Sequence, residues 1–159
     1  MIPKRHSPLK IETTEAHLCS MSLRLKILSQ VPFFRGLTSS DLELINSFFH
    51  EKAFGIDEFI YLSGDMAEQL HVIADGRVSL LRNSLTGKDI LLDLLTPGEF
   101  FGATSGLGND DYLETAQAHT ACCILIIDRE AFQQVLKRYP AVALTMIEII
   151  SERLRIANE

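Results

Sequence analysis

Between Glu51 and Asp128, short apolar runs alternate with tight-turn signals at close, even intervals. Phe59–Leu62 is followed by Ser63-Gly64-Asp65, and Leu70–Ala74 by Asp75-Gly76. Val78–Leu81 is followed by Thr86-Gly87, and Ile90–Leu95 by Pro97-Gly98. Runs this short, bounded by Gly, Pro, Asp and Ser, read as strands, and many of them in succession make a sandwich or barrel. Asp75-Gly76 predicts a hairpin between its two neighbours, because glycine takes the positive φ of a two-residue turn without a steric cost. Val78 and Leu80 against Arg77 and Ser79 show the period of two expected of a half-buried strand.

Helical patterns flank this block. The spacing of Leu18, Met21, Leu25 and Leu28 predicts a helix over 11–30, closed by Pro32 and Gly36. Ser40 with Glu43 three residues on reads as a capping box, leading into a stripe of Leu42, Ile45 and Phe49. Asp128 is placed to cap a helix through Lys137, and Pro140 to open a last one through about Ile156. That last helix has two apolar faces. Ala143, Ile147, Ile150 and Leu154 are spaced 4, 3 and 4 apart, a heptad seam, beside a second stripe of Val142, Met146 and Ile149. One face can lie on the β-core; the other predicts a homodimer. The expected division is a tail and helix over 1–30, a β-roll over 31–138 and a dimerisation helix over 139–159.

Composition removes several classes. The chain is 47% hydrophobic with 15 Lys+Arg against 21 Asp+Glu, a net charge of −6. That excludes intrinsic disorder and argues against this chain gripping a nucleic acid backbone by itself. No run approaches a membrane span, and the basic N-terminus lacks the apolar stretch of a secretory signal, so a cytoplasmic protein is expected. Three cysteines, Cys19, Cys122 and Cys123, suit no small disulfide framework and are too few for a four-cysteine metal site. Reduced, buried thiols are the expectation. There is no His-x-His pair and no Gly-x-Ser-x-Gly turn, and no nucleophile–base constellation stands out, so no catalytic residue and no metal site are assigned.

Helix, β-roll with tight turns, then a long apolar helix: this order resembles the sensor domain of the catabolite-activator/fumarate-nitrate-regulator (CRP/FNR) transcription factors. Val31-Pro32-Phe33-Phe34-Arg35-Gly36-Leu37 with Asp41-Leu42 resembles the family's entry. Gly64-Asp65, Leu70-His71-Val72-Ile73, Gly76 and Val78 resemble its first hairpin. Pro97-Gly98-Glu99-Phe100-Phe101-Gly102 resembles the approach to its ligand cradle, and Thr115-Ala116-Gln117-Ala118 the strand that follows. The resemblance implies a mainly β fold with flanking helices, a double-stranded β-helix or jelly roll. It also implies a long C-terminal helix pairing two protomers, and DNA binding through a helix-turn-helix domain that would lie past Glu159. The chain is then either a sensor fragment of a regulator or a stand-alone module.

In the family's cyclic-nucleotide members, backbone N–H groups at a short helix start face the phosphate. A Glu after the turn glycine takes the ribose, and an Arg about ten residues later neutralises the phosphate. Carried onto this chain, the pocket candidates are Gly98, Glu99, Phe101, Gly102, Ala103, Thr104, Tyr112, Leu113 and Thr115. Ala103 stands where the Glu belongs, Tyr112 at the Arg position and Leu113 at the neighbouring hydroxyl position. Independently of any alignment, no Lys or Arg occurs from Asp89 to Asp128, while seven carboxylates do. A phosphate buried without a paired cation carries a large desolvation penalty, so binding of cAMP or cGMP is expected to be absent or very weak.

The segment Asp111-Tyr112-Leu113-Glu114-Thr115-Ala116-Gln117-Ala118 is similar to the nitric-oxide- and redox-sensing branch, the dissimilatory nitrate respiration regulators. That resemblance implies a haem in or near the vacated pocket; of the five histidines none forms a close pair at metal-ligand spacing, and His71, in a strand-like run, reads either as a packed core histidine or as the candidate ligand. Three roles stand open: an effector sensor that does not respond to cAMP, a haem-based nitric oxide sensor, and a vestigial domain that serves only dimerisation. In the last, Tyr112 and Leu113 would fill the pocket.

Overall fold

The computed structural model describes residues 20–103 and 111–158. The helices are α1 (Met21–Gln30), α2 (Ser39–Asn46), α3 (Arg129–Arg138) and α4 (Pro140–Ala157), with a 3-10 turn at Pro32–Phe34. The strands are β1 (His50–Phe54), β2 (Phe59–Tyr61), β3 (Gln69–Asp75), β4 (Val78–Asn83), β5 (Asp89–Leu95), β6 (Phe100–Gly102), β7 (Thr115–Ala118) and β8 (Cys122–Asp128).

The strands form two four-stranded antiparallel sheets, ordered β1-β8-β3-β6 and β2-β7-β4-β5. This is the expected jelly-roll layout with flanking helices. One expectation fails inside it. β3 and β4, joined by Asp75-Gly76, do not pair: β3 lies between β8 and β6, β4 between β7 and β5. The turn passes the chain from one sheet to the other. Its glycine is required all the same. Gly76 has φ +92°, and a Cβ there would sit 2.4 Å from the Ala121 carbonyl oxygen and 2.8 Å from Cys122 Cα. The paired hairpin is β4–β5, in register from Val78↔Leu95 to Asn83↔Asp89 around Thr86-Gly87.

The first sheet is the middle layer. Its β8 reads Cys-Cys-Ile-Leu-Ile-Ile-Asp, and every residue but Asp128 is buried. Successive residues serve opposite sides. Cys123, Leu125 and Ile127 join Leu70, Val72 and Phe100 against the helices, packing with Phe33, Phe34, Phe132, Val142 and Met146. Cys122, Ile124 and Ile126 join Ile73, Phe101 and Val78 between the sheets. Period-two alternation survives, but both faces are covered, which is why this run is apolar throughout. Ser79, expected outward, is also buried, within 3.3 Å of His119 Nδ1. Cys122 and Cys123 are both buried, and Cys123 is disulfide-bonded, so the expectation of three reduced thiols does not hold.

The helix ends show where local chemistry was misassigned. α2 is capped two residues earlier than expected: the Thr38 hydroxyl accepts from the Asp41 N–H at 3.1 Å, and Asp41 accepts from the Thr38 N–H. Asp128 does sit at the N-cap of α3, but its carboxylate accepts from the Gln69 amide at 3.0 Å instead of capping. α1 begins at Met21, not near residue 11 as expected, because extended Ser20 caps it by accepting from the Leu23 N–H at 3.3 Å; its final turn is buried at Ile27 and Leu28, and residues 11–19 lie outside the described residues. Arg24 ties it down, donating to the Phe49 carbonyl at 2.6 Å, to the Asn46 side chain and to Glu51. Pro140 opens α4 as predicted. Of its two stripes, Val142 and Met146 are buried on the helical core, with Ile149 and Ile150 packed beside them, while Ile147 and Leu154 remain 60% and 63% exposed.

Candidate functional site

The space between the sheets is where the family resemblance puts a ligand, and aromatic side chains fill it. Tyr61 of β2 stacks on Tyr112, which precedes β7, with ring centroids 3.6 Å apart and planes within 11°. His71 of β3 stacks on Phe101 of β6 at 5.0 Å and lies 5.4 Å from Tyr61. Polar ends are anchored locally. The Tyr61 hydroxyl donates to Glu114 at 2.7 Å, and the Tyr112 hydroxyl lies 3.3 Å from both the N–H and the carbonyl of Gln69. Burial, reinforced by the neighbouring Glu114 carboxylate, drives the Tyr61 pKa far above the ordinary phenol value; burial also raises that of Tyr112. His71, 2% exposed, is pushed by burial down to a pKa of about 3 and is neutral at physiological pH. Its Nδ1 is buried and has no hydrogen-bond partner.

A cavity of about 440 Å³ opens beside this cluster, with Tyr61, His71 and Tyr112 in its wall. Asp65, Glu68, Asp128 and Glu130 complete much of the lining, and among the described residues no Lys or Arg contributes. Such a hollow carries a negative potential that repels anions.

The predicted site residues fall in different places. Phe101, Ala103, Tyr112 and Thr115 are buried in the inner layer; the Ala103 N–H donates to the Gln69 carbonyl, and Thr115 accepts from the Ser63 N–H. Gly102 has φ +102°, and a Cβ on it would lie 2.6 Å from His71 Nδ1. Gly98 and Glu99 face a different, outer cavity, and Glu99 accepts from both the backbone and the hydroxyl of Thr96. Leu113, proposed above as pocket filling alongside Tyr112, points to solvent at 83% exposure. Thr104 lies outside the described residues. Tyr61 was missed as an inner residue. It shares sequence parity with exposed Phe59, and only the register shift between them turns it inward.

Iron binding by His71 can be tested against this geometry. Iron needs a neutral imidazole nitrogen at about 2 Å with free space beyond it. The unpartnered Nδ1 faces the Gly102 backbone, where even a methyl group does not fit. The ring as placed offers iron no position at that atom. Among the described residues, no three His, Cys, Asp or Glu side chains are grouped to hold a metal ion.

Comparison with known proteins agrees with the architecture. Residues 51–139 match the cyclic nucleotide-binding domain. The cyclic AMP receptor protein of Thermus thermophilus is 32% identical over 80% of this chain, which spans only 59% of that relative. The crystal structure of the catabolite activator protein of the same organism superposes with a TM-score of 0.75, over 80% of this chain and 60% of that one. The sensor domain of the transcriptional regulator DNR from Pseudomonas aeruginosa superposes with a TM-score of 0.72 at 18% identity, over 93% of this chain and 96% of that one, a likeness of fold. Eight strands in two sheets between helical flanks, and a sequence match running from β1 to the start of α4, make this chain a member of the cyclic nucleotide-binding domain family.

Proposed function

We propose that the chain is the effector-sensing and dimerisation domain of a CRP/FNR-type transcriptional regulator, and that it does not respond to cAMP. Relatives named as receptors and activators, similar over most of this chain, support the first part. The relative named for cyclic AMP makes cAMP the default ligand, so the second part rests on chemistry. Tyr112 occupies the position expected of the phosphate-binding arginine, locked in a stack with Tyr61, and among the described residues carboxylates without a cation line the adjoining cavity. Removing the cation from a buried ion pair costs about 3–5 kcal/mol, a loss of at least 10²- to 10³-fold in affinity. Calorimetry with cAMP and cGMP tests this directly: no heat of binding is expected at micromolar ligand, and a micromolar dissociation constant would overturn it.

A second reading, a structural dimerisation module, is supported by the self-filled hollow, although Tyr61, Phe101 and His71 share the filling with Tyr112 and Leu113 does not. The two readings part on whether any small molecule changes α4. In our reading the domain is not catalytic, lies in the cytoplasm and meets DNA only through another part of the parent regulator. No helix among the described residues is long and apolar enough to cross a membrane. Haem is not part of this reading, which the crowding of His71 Nδ1 by the Gly102 backbone supports. The absorption spectrum of untreated, cell-derived protein should lack a Soret band, and its presence would restore the nitric oxide sensor.

A further inference from the structure

Outside the roll, a second cavity of about 410 Å³ lies where the 3-10 turn, the β5–β6 turn and α4 converge. Two arginines from distant parts of the chain line it: Arg35, directly after the 3-10 turn, and Arg153, near the end of α4. Among the described residues, neither guanidinium meets a carboxylate or a carbonyl, although acidic residues outnumber basic ones 21 to 15 in this chain. The one carboxylate in the lining, Glu99, is occupied by Thr96 through two hydrogen bonds of 2.9 and 3.0 Å. Arg153 is not a loose surface side chain. Its guanidinium lies 4.1 Å above the ring of Phe100, whose other contacts are in the helical core. Stacking on an aromatic face fixes the plane of the fork and lowers the entropy lost on binding.

We propose that this outer cavity binds a small oxyanion of two or more charges, a phosphate group or polycarboxylate held between Arg35 and Arg153. Guanidinium groups recognise such oxygens through paired, charge-assisted hydrogen bonds. The cavity has the volume of a metabolite, and its remaining walls include Pro32 and Pro97, which are rigid and lack backbone donors. An anion seated there bridges the 3-10 turn to α4, and so fastens the terminal helix to the roll.

Calorimetry in phosphate-free buffer tests the proposal, with inorganic phosphate, pyrophosphate and citrate as probes and sodium chloride at matched ionic strength as the control. Saturable binding of pyrophosphate or citrate, weakened about tenfold or more by Arg35→Gln and by Arg153→Gln separately, is expected. Preference for pyrophosphate identifies phosphate esters as the class, and preference for citrate identifies polycarboxylates. Heats no larger than those of chloride, or wild-type affinity in both variants, would overturn it. Both side chains are exposed, so circular dichroism should show the variants folded. Neither residue lines the inner hollow, so failure here leaves the cAMP reading untouched.

Discussion

Burial among Tyr61, Phe101 and Tyr112 keeps the His71 imidazole neutral, with its pKa near 3 against about 6.5 in an unfolded chain. Between those values the unfolded state holds the additional proton. The contribution of His71 is therefore complete above about pH 6.5 and is lost as pH falls towards 3, by roughly 1.4 kcal/mol per pH unit. Urea denaturation of His71→Leu against the wild type should show a shallower acid limb in the variant, and parallel curves would refute the assignment. A second residue-scale prediction concerns Tyr61. Tyr61→Phe leaves the stack in place but removes the donor to Glu114, and should cost about 1 kcal/mol in the same measurement at pH 7. The site depends on such details, and they were the least visible in the sequence. The absence of cations from 89 to 128 is plain by inspection. Tyr61's inward turn depends on a register shift that no periodicity announces, and Leu113's outward turn contradicts its apolar character.

At the scale of elements, turns decide more than runs. Gly76 and Gly36 both have positive φ, near 90°, but their surroundings differ: a Cβ at Gly76 strikes β8 backbone, while at Gly36 it meets nothing within 4 Å. Gly36→Ala should cost about 1–2 kcal/mol, the penalty of the left-handed conformation alone. Gly76→Ala should cost roughly 3 kcal/mol or more, because β8 must also move. Equal midpoint shifts would show that the contact is not limiting. Strands and helices were legible in the chain because each has a local period and local punctuation. The pairing across Asp75-Gly76 was not, because a tight turn specifies reversal of direction and says nothing about which sheet receives the next strand. That choice is made by β6, β7 and β8, partners at least 25 residues further on. Likewise, both Thr38 and Ser40 precede an acid by three residues, and the tertiary packing of α2 selects the first.

For the molecule as a whole, α4 divides its apolar surface between its own core and the outside. Ile147→Glu or Leu154→Glu should leave the fold intact and shift a dimer to monomer in light scattering, since both side chains are mostly exposed. Met146→Glu should unfold the protein, because it would bury a carboxylate against Val142 and Phe132. A wild-type monomer at high concentration would remove the dimer from the proposal. The middle sheet bears on how such a helix could receive a signal. Along β8, Cys122, Ile124 and Ile126 press on the inner compartment, and Cys123, Leu125 and Ile127 support the helical one. The partition is a single polypeptide thick, and neighbours in sequence push against opposite rooms. In the proposed sensor, a guest that enlarged the inner room by the bulk of one ring would displace the floor on which the helices rest, so its arrival would be felt as pressure on a shared wall and not along a route of contacts.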